Sequence, residues 1–177
     1  SIRTEVHQIL LSEGATAIFV THDLEEALCI ADKVAVMFKG AVAQIAAPEE
    51  LYGKPANRRI AEWLGDANFM PANGSGRQVS CELGTLVVGE AVNGPVELML
   101  RPEWLTITGD PDGSSRVVDR EFYGHDQMVL VRLASGTRLR VRTLSGERWE
   151  PGQRVTVAAK GRAVAYDVDG SIQARPQ

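Results

Sequence analysis

The residues best suited to chemistry lie in the run 15–32, ATAIFVTHDLEEALCIAD. An apolar segment stops there at Thr21-His22-Asp23, and an amphipathic pattern takes over. Residues 15–20 read as a strand buried on both faces, as in a parallel sheet. Asp23 followed by Glu26 reads as a capping box, with Leu24, Ala27, Leu28 and Ala31 on one helical face. His22 is thereby predicted at the carboxyl end of a parallel strand, where α/β sheets take up ligands. An imidazole at such a point can donate to a phosphate oxygen or orient an attacking water. It can equally do no more than satisfy the strand-to-helix turn.

Other chemistry-bearing groups carry less. Arg101 and Glu103, either side of Pro102, read as a ligand or interface pair in the distal domain, or as a buried structural ion pair. Such a pair is weak evidence for net stability. Arg138, Arg140 and Arg142 alternate with Leu139 and Val141, giving a strand with one buried and one wet face. Binding single-stranded nucleic acid on that face would need stacking aromatics and a net positive groove. A solvated or dimer-facing arginine ladder is the reading preferred. His125-Asp126 mimics a His–carboxylate pair but has no nucleophile or third ligand near it in sequence, and reads as a turn. Cys29 and Cys81 lack C-x-x-C spacing and read as reduced, partly buried thiols. No metal site is expected.

The elements that must position these groups are set by periodicity. Ile2, Val6, Ile9 and Leu10 form a helical stripe ending at Gly14, with His7 expected at its surface. After the helix from Asp23, a second apolar run, Val34–Phe38, should complete a right-handed βαβ unit with 15–20. Ala41–Ala46 should return antiparallel through Lys39-Gly40 as the sheet edge. Pro48 opens a short helix carrying Glu49 and Glu50 in its first turn, and Asn57 should cap a last helix through Ile60, Ala61 and Leu64. At Asp66 the composition changes. The stretch 66–76, DANFMPANGSG, is rich in turn formers and reads as a boundary. From Val79 onward, short alternating runs recur between glycine and proline signals, which predicts a small OB-like barrel or sandwich. The predicted domains are therefore 1–66, α/β in texture, and 67–177, all β.

Charge narrows the partners. The formal charge is −4; residues 1–66 hold 6 basic and 10 acidic residues, and the remainder holds 13 of each. Neither part is strongly basic, so no nucleic-acid partner is expected. Apolar runs fall short of the ~20 residues a membrane helix needs, so no direct membrane insertion is expected.

The ordered stretch FVTHDLEEALCIADKVAVMFKGAVAQIAAPEELYGKP resembles the switch-histidine segment of ATP-binding cassette (ABC) ATPases, together with the end of their nucleotide-binding domain. Further on, Leu100-Arg101-Pro102-Glu103 resembles the RPE element of the transport-associated OB-like (TOBE) domain. The later run EFYGHDQMVLVRLASGTRLRVRTLSGERWEPGQRVTVAA is similar to it too. Together these cover nearly the whole chain. The resemblance implies the carboxy-terminal part of the ATP-hydrolysing subunit of a bacterial ABC importer: the end of an α/β nucleotide-binding domain, then a β-rich regulatory domain.

In the intact subunit, the resemblance implies that His22 contacts the γ-phosphate and helps position the attacking water, with Asp23 fixing the turn behind it. ATP and Mg²⁺ would be the cofactors. The partners implied are a second copy and membrane permease subunits, at the cytoplasmic face of the cell membrane. Ferric iron or polyamines are weakly suggested as the solute. The phosphate-binding loop, the signature loop and the acidic strand carrying the catalytic glutamate do not occur in this sequence, so the chain alone is expected to be inactive. The competing class is an OB-like module that binds a small anion or nucleic acid and has no ATPase role.

Overall fold

The computed structural model describes residues 9, 12–14 and 16–168. Of the first helical stripe, Ile2, Val6 and Leu10 lie outside those residues, and so does His7. The chain forms two compact units that divide between Ala56 and Asn57, not at Asp66.

In the first unit, α1 (Leu24–Ile30) begins where the capping signal places it. The hairpin of β1 (Val34–Phe38) and β2 (Ala41–Ala46) turns on Lys39 and Gly40. Both have positive φ, 50° and 80°, as a tight two-residue hairpin turn demands. The helix α2 (Pro48–Gly53) carries its proline at the first turn and buries Leu51 completely. Gln44 ties the segment together, donating to Lys54 O and accepting from Ala56 N–H.

The expected βαβ unit does not form. Residues 16–20 make no strand, and Ile18 is 94 % and Val20 90 % exposed. A parallel strand takes every ladder hydrogen bond from its neighbours. Among the described residues β1 and β2 pair with each other, and no strand lies beside 16–20. The run has an interior composition without an interior to occupy.

The second unit opens with α3 (Arg58–Trp63), capped by Asn57 Oδ1 accepting from Ile60 N–H. Two long strands come next, β3 (Asn68–Cys81) and β4 (Gly84–Leu100), joined by a tight turn. The turn-rich stretch read as a boundary is thus the start of a 14-residue strand. Gly74 is a packing device: a Cβ there would lie 2.7 Å from Val92 Cγ2 and 2.8 Å from Val92 O. Only glycine lets the two backbones approach there.

A 3₁₀ turn (Pro102–Trp104) leads into β5 (Leu105–Gly109), β6 (Ser115–Phe122), β7 (Asp126–Arg132), β8 (Arg138–Leu144), β9 (Arg154–Ala159) and β10 (Val164–Tyr166). Five of these make an antiparallel sheet in the order β5-β9-β6-β7-β8, while β10, β4 and β3 make a second. Val79, Leu98 and Leu100 from one sheet, with Val129, Leu139 and Val155 from the other, fill a common core at 0 % exposure. This is the all-β, OB-like arrangement expected from the strand pattern.

The edge strand β8 is covered by a side chain. Asn68, 5 % exposed, accepts from Arg140 N–H at 2.7 Å and donates to Arg140 O at 2.8 Å, as a neighbouring strand would. Asn68→Ala leaves both groups without this partner and should cost about 1–3 kcal/mol. Urea unfolding of the chain checks it; an unchanged midpoint would show that water replaces the amide at no cost.

Candidate functional site

His22 stands exposed just ahead of α1. The turn behind it is tightly organised. Asp23 Oδ1 accepts from Glu26 N–H at 3.1 Å. Thr21 Oγ1 accepts from Asp23 N–H at 3.0 Å and donates to the Glu26 carboxylate at 2.8 Å. The capping box therefore has a third member, with Thr21 joining the two acidic residues. The Asp23 carboxylate holds backbone, and the Glu26 carboxylate holds the Thr21 hydroxyl. The imidazole is presented outward by a turn that does not depend on it.

Arg101 lies at the other extreme, fully buried. Its Nη1 donates to Ala61 O at 2.9 Å and to Gly65 O and Asp66 O, each at 3.1 Å. These carbonyls mark the end of α3 and the chain leaving it, where a helix has acceptors to satisfy. Around it Ala61, Met99, Trp104 and Tyr166 form a second apolar cluster. Burial pushes the Tyr166 phenol upward, and the positive Arg101 nearby opposes that shift. Glu103 is half-buried in the 3₁₀ turn, and its backbone oxygen accepts from Lys160 Nζ at 2.9 Å. Arg101 thus acts as a structural tie between α3 and the β sheets, which explains why α3 groups with the distal unit.

Arg138, Arg140 and Arg142 all project from the wet face of β8. Arg140 pairs with Asp66, and Arg142 Nε with Asp126, so two of the three are neutralised locally. His125 is exposed in the β6–β7 turn, with Nε2 3.8 Å from Asp126 Oδ1. Cys29 is exposed, whereas Cys81 is half-buried and burial pushes its thiol upward.

Sequence reasoning missed two positions. Gln127, fully buried, donates to Leu144 O at 2.9 Å and Glu147 O at 2.7 Å, fastening the loop after β8. Asn68 covers the β8 edge from seventy-two residues away. A lone amide in a strand carries no sequence signal of either role. The structure leaves His22 and Arg101 in separate units and brings together Arg101 with the end of α3.

Residues 98–165 match the TOBE domain family. That match, joined to the similarity that runs over more than nine-tenths of the chain, places it with the TOBE-bearing ATP-binding proteins of importers. The chain is 40 % identical over 173 residues to the Fe(3+) ions import ATP-binding protein FbpC 2 of Rhodococcus jostii (strain RHA1), covering 94 % of this chain and 50 % of that protein. It is 35 % identical over 175 residues to the spermidine/putrescine import ATP-binding protein PotA of Ruegeria pomeroyi, covering 91 % and 48 %. It is also 35 % identical over 166 residues to the Fe(3+) ions import ATP-binding protein FbpC of Serratia marcescens, again covering 91 % and 48 %. The chain spans about half the length of these curated relatives.

Proposed function

We propose that this chain is part of the ATP-hydrolysing subunit of an ABC-type importer, coupling hydrolysis to uptake of ferric iron or a polyamine. The observation that carries the reading is the extent of the similarity. It runs over 94 % of the chain, and so takes in the His22 segment as well as the β domain. In the full-length subunit, His22 donates to the γ-phosphate of Mg-ATP and helps orient the attacking water. Phosphoryl transfer depends mostly on positioning and electrostatics, so an outward-facing donor on a rigid turn suits that task. The β domain pairs with a copy of itself, and the assembled subunits work with permease partners at the cytoplasmic face of the membrane.

Two measurements test this. The chain by itself should show no saturable Mg-ATP hydrolysis, because its sequence holds no phosphate-binding loop. Saturable turnover by the purified chain would overturn that assignment. The full-length subunit, reconstituted with its permease in vesicles, should drive ATP-dependent uptake of ferric ion or of spermidine. Uptake of neither would remove the cargo assignment.

A further inference from the structure

A β-bulge re-aims the second half of β6. Val117 pairs with Val131 and Asp119 with Leu130, so Val118 is an extra residue in the ladder. Ser115 and Val117 are buried, and simple alternation would send Asp119 and Glu121 inward after them. The bulge reverses that parity. Arg120 instead comes opposite Val129, and Phe122 opposite Gln127; both partners are at 0 % exposure on the core side of the sheet. An arginine and an aromatic ring are thereby turned to the side otherwise filled with aliphatic residues, while Asp119 and Glu121 stay exposed.

Arg120 and Phe122 form one wall of an open cleft of about 410 Å³, and residues 145–148, in the loop after β8, form the other. That second wall is held from behind. Gln127 donates to Leu144 O and Glu147 O, and Ser145 N–H donates to His125 O at 3.3 Å. Arg148 is already paired with Glu150. Arg120 is half-buried, and among the described residues no carboxylate and no hydrogen-bond acceptor engages its guanidinium; the bond to Asp119 comes from its backbone N–H. A guanidinium cannot shed its charge, so partial burial without a partner is unfavourable. Phe122 is 60 % exposed beside it, and Ser145 adds a hydroxyl across the cleft.

We infer that this cleft binds a small organic acid, with its carboxylate on Arg120 and its apolar body against Phe122. The forked guanidinium matches a carboxylate with two parallel hydrogen bonds. Glu147, exposed on the rim, disfavours a multiply charged anion such as inorganic phosphate. The volume lies in the range of small-molecule sites. The cleft belongs wholly to the distal unit, and it stands whether or not the chain works in an importer.

Titration calorimetry of the chain with phenylacetate tests the inference, with circular dichroism as the check of folding. Phenylacetate should bind saturably. Acetate, which has the charge without the ring, and benzyl alcohol, which has the ring without the charge, should each bind more weakly. Arg120→Gln should weaken phenylacetate binding by about tenfold or more, the usual cost of losing a charge-assisted hydrogen bond. Phe122→Ser should weaken it as well. Absence of saturable phenylacetate binding overturns the site, and so does binding that both variants leave unchanged. In that second case Arg120 simply extends along the sheet to water. Inorganic phosphate binding as tightly as phenylacetate overturns the ligand class. Should Arg120→Gln fail to fold, Phe122→Ser decides alone, since that side chain is mostly exposed and its loss leaves the core intact.

Discussion

Replacing His22 by alanine in the full-length subunit is expected to lower ATP turnover by about a hundredfold or more, the usual cost of losing a donor to transition-state charge. ATP affinity should change far less, because a phosphate-binding loop makes most ground-state contacts. The structure makes this a clean experiment. The hydrogen bonds of the turn run through Thr21, Asp23 and Glu26, so removing the imidazole leaves the turn and α1 in place. Asp23→Ala is the contrasting control: it removes the helix cap and should cost about 0.5–2 kcal/mol of local stability. Single-turnover kinetics with saturating Mg-ATP separate the two effects. Near-normal turnover for His22→Ala would make the residue part of the turn and nothing more.

The largest stability effect is expected at Arg101. Arg101→Ala removes the donor from three backbone carbonyls and empties a fully buried site between α3 and the sheets. Hydrogen bonds to a charged donor are each worth about 1.5–3 kcal/mol, and a buried acceptor left unsatisfied costs about 1–3 kcal/mol. These terms overlap, so a loss of about 3–5 kcal/mol is expected, comparable to breaking a buried charged contact. For a unit of this size that lowers Tm by more than about 10 °C. Arg101→Lys keeps the charge but replaces a forked donor by a single point, and should fall between. Calorimetry of the chain measures both. A fall of only a degree or two for Arg101→Ala would mean that water satisfies the three carbonyls.

Local patterns stood out plainly in the sequence. Asp23 and Glu26 marked the start of α1, Lys39-Gly40 the hairpin turn, Pro48 and Asn57 two further helix starts. Each is a signal whose physics is complete within four residues: a cap, a positive φ, a missing N–H. The alternation of Leu139 and Val141 with arginines likewise assigned the two faces of β8, because a strand's side chains alternate whatever it pairs with. The candidate histidine, too, was visible, since an imidazole at the junction of an apolar run and a helix cap is a local feature.

Where the sequence misled, the deciding forces came from elsewhere in the chain. Residues 16–20 have the composition of an interior strand, yet strand structure exists only through a neighbour's hydrogen bonds, and none is supplied to them here. Residues 66–76 look like a linker by their glycines and asparagines, but Val92 lies close enough to Gly74 that those small residues serve a long ribbon. Arg101 was read beside Glu103, its sequence neighbour, whereas its Nη1 donates to carbonyls 35–40 positions away. Arg120 is the clearest case. Counted by alternation from buried Val117 it belongs on the wet face, and the bulge before Asp119 turns it to the core side. Sequence by itself determined what each short segment prefers, because those preferences are intramolecular over a few residues. Which segments meet, and hence which face a charge takes, was decided only by tertiary pairing, because a one-residue slip in any strand would send an entire row of side chains to the opposite face.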